Sequence, residues 1–420
     1  MILQCGCIVL IHLSVLGESF SLATIGPLVP ILAKNANLSD DLIGIFMGMK
    51  EITNILLVFF VWSKFITKSN CVYVTAIGGC FSFLVNASFL LLNVNEVYSR
   101  KEVLFGLAVL IRIMQGCAQG MIYSTAVTSC LYFFPERKQA FILSTQYVRG
   151  FGFAIGPALA EFINYKLGYD ATFTAISSFL GISNISLLIF VLLATCSSEN
   201  QFDDQSIQST PLRSVLSKPG FLLYSLTFAT VMAMQGVRDT AFAIFFQEHL
   251  HFSKLTTGYL FSATTTSFFI GIFFTGYICK KGYAGFVALL CNALSSIAIS
   301  IFFLSKYWTT LSNEYILALP MILQGISISG IYPSIMILQN VILLKYGYDD
   351  HVQNTLIASN TNCLFNSLGK AIAMLILCGP VLQFLRFYDM CGIFLVIYIL
   401  LLICNSYNFG YNILYRKIQL

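Results

Sequence analysis

Long apolar runs recur along this chain with so little charge between them that a water-soluble fold is ruled out. Ile55–Trp62, Phe83–Leu92, Ser177–Leu193, Ile299–Leu304 and Ile393–Cys404 each sit in a stretch long enough to cross the hydrocarbon core as a helix, which takes about 20 residues. The 420 residues are 57% hydrophobic and 10% charged, against about 25% charged in soluble domains. The backbone's polar groups must be satisfied within each crossing segment, and this makes the segments helices. The formal charge of +5 is spread over short loops without a basic cluster, so no nucleic-acid partner is expected. The thirteen cysteines lie mostly inside apolar runs and read as small hydrophobes. They show no Cys-x-x-Cys spacing, and neither a metal nor a cofactor is inferred. The apolar N-terminal stretch runs on to Ile31, too far for a signal peptide, and is read as the first span.

Turn signals place twelve spans, near 6–32, 42–63, 71–93, 103–133, 139–163, 169–195, 219–246, 256–279, 283–305, 315–344, 353–380 and 390–408. The expected fold is an all-α membrane protein with two six-helix bundles, residues 1–195 and 219–420. A polar segment at 196–218, with Glu199, Asp203 and Asp204, reads as a cytoplasmic linker. With both termini inside, the inner segments carry Lys64, Lys68, Arg137, Lys138, Arg213, Lys218, Lys280, Lys281, Lys345, Arg416 and Lys417. The outer loops carry Lys34, Arg100, Lys101, Lys166, Lys254, Lys306 and Arg386. The inner excess sets the orientation. It places Asn37, in Asn37-Leu38-Ser39, outside as a glycan acceptor. Asn86-Ala-Ser88 and Asn184-Ile-Ser186 fall within spans and are expected to stay unmodified.

An internal repeat supports two bundles. Gln115-Gly116 leads to Ile122-Tyr123 at the spacing by which Gln324-Gly325 leads to Ile331-Tyr332. Ser39 precedes Gly44 by the same five positions as Ser253 precedes Gly258.

Ionisable groups inside spans are costly unless paired or facing a wet cavity, so they nominate the site. They are Glu18, Lys50, Glu51, Arg112, Arg149 and Glu161 in the first half, and Arg238, Asp239 and Lys370 in the second. Each could instead be one partner of a structural ion pair, and Glu161 lies near enough a span end to snorkel. Lys50 and Glu51 are adjacent and should point to different faces without neutralising each other, as should Arg238 and Asp239. Glu18, flanked by Gly17 and Ser19 at mid-span, is expected to line a central cavity as a proton carrier or cation ligand. Arg112 is expected inside the first bundle near Glu18 or Glu51, with Arg149 turned to the same interior. Gly150, Gly152, Gly156 and Pro157 suit close helix packing and a kink in span five.

Together these residues resemble the major facilitator superfamily, and within it the vesicular amine transporters. Arg112-x-x-Gln115-Gly116 resembles the span-four motif, and Gly152-Phe-Ala-Ile-Gly156-Pro157 the span-five motif of the antiporters. Glu18 followed by Pro27 and Pro30, and Ile43-Gly-Ile-Phe-Met-Gly-Met-Lys50, are similar to the amine branch in spans one and two. The resemblance implies that Glu18 contacts a substrate ammonium and that Lys50 joins a gating ion pair with span eleven. The acidic positions of spans ten and eleven hold Asn340 and Cys363 here.

The expectation is therefore a monomeric multi-pass transporter of the plasma membrane or an intracellular vesicle. It moves a small organic solute by alternating access, as proton antiport of a cationic amine. An organic-anion transporter of the same fold is an alternative, because five in-span bases face four acids. A transporter-like receptor or scaffold is another. No nucleophile–base set or phosphate loop is present, so an enzyme is not expected. The residues nominated for substrate or proton are Glu18, Lys50, Glu51, Arg112, Arg149, Asp239, Asn340 and Lys370.

Overall fold

The computed structural model describes residues 2–62, 65–67, 70–197, 212–238, 242, 245–246, 250–305, 307–308, 313–348, 351–377 and 387–418. Among these no strand occurs, and twelve long helices follow one another. They are α1 (Ile2–Asn35), α2 (Asp40–Leu57), α3 (Cys71–Ser88), α4 (Lys101–Phe133), α5 (Lys138–Leu167) and α6 (Tyr169–Ser197). Then come α7 (Pro219–Val237), α8 (Lys254–Lys280), α9 (Ala284–Leu304), α10 (Glu314–Lys345), α11 (His351–Ala371) and α12 (Phe387–Ile418). Wider π-type turns continue α2 over Val58–Trp62 and α11 over Ile372–Leu377. Asp239 and the acidic part of the linker, residues 198–211, lie outside the described residues.

Nine of the described helices are long and apolar enough to cross a membrane. α5 and α11 fall outside that group for a physical reason. α5 carries Arg149 at mid-length, and α11 carries Asn354, Ser359, Asn360, Asn366 and Lys370, all buried, so their polar groups face protein rather than lipid. α12 contributes a shorter apolar stretch, Cys391–Tyr407.

The helices stop where the backbone can turn left-handed. Asn37 sits at φ 58°, and the Leu38 amide then reaches back to the Ala33 carbonyl at 3.1 Å. This is a Schellman closure that satisfies the end of α1 and reverses the chain into α2. Gly282, at φ 90°, does the same after α8, where the Tyr283 amide meets the Ile278 carbonyl at 3.3 Å.

The chain forms two compact units, one of residues 1–212 with 348–367, the other of residues 213–347 with 368–420. The expected boundary at 196–218 thus lacks one feature, the assignment of most of α11 to the first unit. Within the first unit α1 packs on α4, α5 and α6, α2 on α4, and α3 on α4 and α6. Within the second, α7 packs on α10 and α12, α8 on α10, and α9 on α10 and α12. Apart from the contact of α1 with α5, the pattern of neighbours repeats six helices on.

Small residues make the close crossings possible, as expected where hydrophobic burial does not favour one helix contact over lipid. A Cβ at Gly152 would meet the Ser19 Cβ at 2.8 Å and the Leu16 carbonyl oxygen at 2.9 Å, and one at Gly156 the Ala23 Cβ at 2.8 Å. These two glycines seat α5 on α1, and α5 runs unbroken through Pro157. The Gln-Gly repeat has the same kind of purpose. Gly116 lies against the α2 backbone at Lys50 and Asn54, and Gly325 lies against the α8 backbone at Thr264 and Phe268. Tyr123 meets Ser19 of α1 at 3.2 Å, and Tyr332 meets Phe228 of α7 edge-on at 4.7 Å. Each tyrosine therefore touches the first helix of its own half.

Candidate functional site

Three helices of the first unit read alike along their length: apolar, polar, apolar. On α1, Cys7, Ile11 and Val15 belong to one apolar cluster and Ile25, Leu28 and Val29 to another. Between them lie Glu18, Ser19, Ser21 and Thr24, each fully buried. α3 interposes Ser82 and Asn86 between Val72 and Phe89. α4 interposes Arg112, Gln115 and Gln119 between Ala108 and Ile122. The buried charges of the first unit thus lie between two apolar clusters, one of which also holds the hydroxyl groups of Thr75, Thr125 and Ser129, bonded among themselves.

Glu18 is 0% exposed. The Ser82 hydroxyl donates to its Oε2, and Oε1 has no hydrogen-bond partner among the described residues. Behind Ser82 stands a line of donors. Asn86 Nδ2 reaches the Ser82 Oγ at 3.3 Å and the Ser82 carbonyl at 2.8 Å, and the Ser21 hydroxyl donates to Asn86 Oδ1. The spacing explains the match. Residues 18 and 21 share one face of α1, and residues 82 and 86 share one face of α3, so the two faces meet as two rungs. Glu18 turns toward α3, where the Ser82 hydroxyl supplies the donor that a carboxylate at that depth needs.

Lys50 and Glu51 correct the sequence expectation. They form an ion pair, Nζ to Oε1 at 2.7 Å, with both side chains buried. Adjacent Cβ atoms diverge around a helix, but the four-carbon lysine stem is long enough to fold back. In a low-dielectric interior the attraction outweighs the lost rotamer freedom. Arg112 is buried, donates from Nη1 to Gln115 Oε1 at 2.6 Å and from Nη2 to the Met47 carbonyl of α2 at 3.1 Å, and interacts with the charge of Glu51. Its partner is therefore Glu51 rather than Glu18. The charges acting on Glu18 are those of Lys50 and Arg149. Arg149 is buried on α5 with its guanidinium 4.1 Å from the Tyr123 ring centroid and 5.8 Å from that of Phe153, a cation–π seat within the same bundle.

Asn54, one turn beyond Lys50 along α2, meets α11. Its Nδ2 reaches Ser367 Oγ at 2.6 Å and Cys363 Sγ at 3.3 Å, while Ser359 donates to the Tyr123 carbonyl at 2.9 Å. At Cys363, the position where the resemblance implied an acid, α2 and α11 meet through neutral hydrogen bonds.

Asn340 and Lys370 belong to the second unit. Asn340 is buried and spends its amide on the Met336 carbonyl of its own helix at 2.8 Å. Lys370 is buried on α11, and its backbone lies against Gly236 of α7. Arg238 is buried beside that crossing. Asp239 lies outside the described residues, as does the side chain of Glu161. Ser21, Asn54, Ser82 and Asn86 were not nominated from the sequence. The signal for the α3 pair was present, as two polar residues four apart inside an apolar run. Among the described residues no three His, Cys, Asp or Glu side chains gather as a metal site.

Buried ionisable groups layered inside a membrane-crossing helical bundle, with one neighbour pattern repeated six helices on, define an integral multi-pass membrane protein of the transporter kind. Residues 11–374 match the Major Facilitator Superfamily, and the chain belongs to that family. Among solved structures it is similar to a bacterial homologue of the iron transporter ferroportin in its outward-facing state, with TM-score 0.70 and 14% identity over 96% of this chain and 98% of that one. At that identity the likeness concerns the fold. No curated protein matches the chain.

Proposed function

We propose that this protein is a secondary active transporter which moves a small organic solute by alternating access and couples it to protons through Glu18. The observation that carries the reading is the Glu18 carboxylate itself. It is fully buried, with one oxygen accepting from Ser82 and the other without a hydrogen-bond partner among the described residues. A buried carboxylate held by a single hydroxyl donor, inside a bundle that also carries Lys50 and Arg149, suits the gain and loss of a proton during a cycle. Because Glu18 faces α3, the proton is the better occupant, and a substrate ammonium would need a site elsewhere. The solute on this reading is a cationic amine exchanged for protons. The chain works as a monomer with both termini cytoplasmic, in the plasma membrane or a vesicle membrane.

A second solute class has its own support. Away from the helix ends, the described interior of the first unit holds three bases (Lys50, Arg112, Arg149) and two acids (Glu18, Glu51). An organic anion would offset that excess.

The test is uptake into proteoliposomes, with and without a pH gradient, of a panel of radiolabelled amines and carboxylates. Wild-type protein should concentrate a solute only with the gradient present. Glu18→Gln keeps size and hydrogen bonding but removes the proton site. It should abolish the concentrative phase while the protein stays folded and inserted. Undiminished pH-driven accumulation by that variant would end the assignment of Glu18.

A further inference from the structure

We infer that Ser82, aligned by Asn86 and Ser21, is the positioning residue that sets how tightly Glu18 holds its proton. The inference rests on the preceding reading of Glu18. It goes beyond it by placing control of the proton on α3, a helix that bears no in-span acid or base of its own.

The geometry is a directed line of donors. The Ser21 hydroxyl donates to Asn86 Oδ1, Asn86 Nδ2 points to Ser82 Oγ at 3.3 Å, and the Ser82 hydroxyl donates to Glu18 Oε2. Asn86 also grips the Ser82 carbonyl at 2.8 Å, which locks the amide in the orientation that presents Nδ2 to Ser82 and Oδ1 to Ser21. With Asn86 supplying a donor to its oxygen, Ser82 has its own hydrogen left for Glu18. All four side chains are at most 1% exposed, so water does not compete for these bonds, and hydrogen bonds in such a chain polarise one another. A donor to a carboxylate stabilises its charged form, and the contribution of one bond to a charged group is large enough to move a titration by about 1 pH unit or more.

The helices packed around α1 carry other charged and titratable groups, Glu51 beside Lys50 on α2 among them. Lys50 on α2 and Arg149 on α5 act on it directly. On α4, Arg112 is engaged with Gln115 and Met47, and the Tyr123 hydroxyl meets Ser19. α3 carries Cys71, Tyr73 and Cys80, and Asp170 at the start of α6 accepts from Asn93 at 3.0 Å. Lys50 and Arg149 are constant across the variants below, so a change at Ser82 reads out its hydroxyl.

The test needs no solute. Purified full-length protein in nanodiscs is titrated from acid to alkaline pH by infrared difference spectroscopy, and the carbonyl band of protonated Glu18 is assigned by its loss in Glu18→Gln. In Ser82→Ala the midpoint of that band should move to higher pH by about 1 unit or more, because the charged form has lost its donor. Asn86→Leu should move it in the same direction by less, and Ser82→Thr should restore it. Ser82→Cys, a weaker donor of similar size, serves if the alanine variant does not fold, and should shift the band part of the way. A midpoint unmoved in Ser82→Ala or Ser82→Cys, or moved to lower pH, overturns the inference while leaving Glu18 as the proton site. A wild-type protein with no titrating Glu18 band overturns both. A variant that loses thermal stability with an unmoved band marks Ser82 as structural and also overturns it.

Discussion

Two glycines of one helix give the architecture a quantitative test. On α4, a Cβ at Gly116 would stand 2.5 Å from the Lys50 carbonyl oxygen, 3.0 Å from the Thr53 Cβ and 3.3 Å from the Asn54 amide nitrogen. Two of those three atoms are backbone of α2, which no rotamer change can move. Against a comfortable separation of about 3.5 Å, the shortest contact is overlapped by about 1 Å, so α2 and α4 must part along their whole crossing. Overpacking of this kind costs about 1–3 kcal/mol. At Gly106, ten residues earlier on the same helix, a Cβ would meet nothing within 4 Å, and alanine there gains up to about 1 kcal/mol of helix propensity. Gly116→Ala should therefore lower the thermal unfolding midpoint of purified protein while Gly106→Ala leaves it unchanged or raises it. Measured side by side in one detergent by intrinsic fluorescence, the two midpoints should differ in that order. If the Gly116 variant proves as stable as the Gly106 variant, α2 and α4 do not cross where described, and the layer built on Lys50 and Arg112 loses its frame.

Further outcomes follow from the same interior. Tyr123→Phe keeps the ring under Arg149 and loses the contact with Ser19, whereas Tyr123→Leu loses both. The leucine variant should be the less stable by about 1 kcal/mol in chemical or thermal denaturation, and equal stability would remove the cation–π seat from the account. Asn37 and Ser39 are exposed, whereas Asn86 and Asn184 are fully buried. In a eukaryotic secretory host Asn37→Gln should abolish any glycan-dependent gel shift, and substitution at Asn86 or Asn184 should not. A glycan surviving Asn37→Gln would contradict this, and a cytosolic reporter signal at residue 37 would reverse the orientation.

The fold was largely legible because it depends on periodic, one-dimensional signals. Apolar runs of membrane length and turn residues between them located the helices to within a few residues, as at α9, read as 283–305 and found as Ala284–Leu304. The repeated Gln-Gly was legible as a repeat, but its physical purpose, seating α4 on α2 and α10 on α8 through a missing Cβ, required the crossings. The buried charges proposed as the site were legible as residues and opaque in their pairings. Adjacency suggested that Lys50 and Glu51 avoid each other, yet a long side chain and a dry interior bring them together. Asn86 was read only as the start of an unusable glycan motif. Which face of α3 it occupies, and that this face meets Glu18, depends on how helices rotate against one another, and apolar periodicity is weak where both faces are greasy. Asn54 was invisible for the same reason, since its partners Cys363 and Ser367 are about 310 positions away along the chain.

The layered interior of the first unit has an electrical consequence. Glu18 is the seventeenth of the 34 residues of α1, so about 25 Å of helix extends on either side of it at 1.5 Å per residue. Above and below lie apolar clusters, and in low-dielectric material of this kind the membrane potential falls steeply. A charge brought to Glu18 from either face crosses about half of the field, which is worth about 1 kcal/mol for each 100 mV. On the reading that Glu18 carries the coupling proton, occupancy of the carboxylate responds to voltage as well as to concentration.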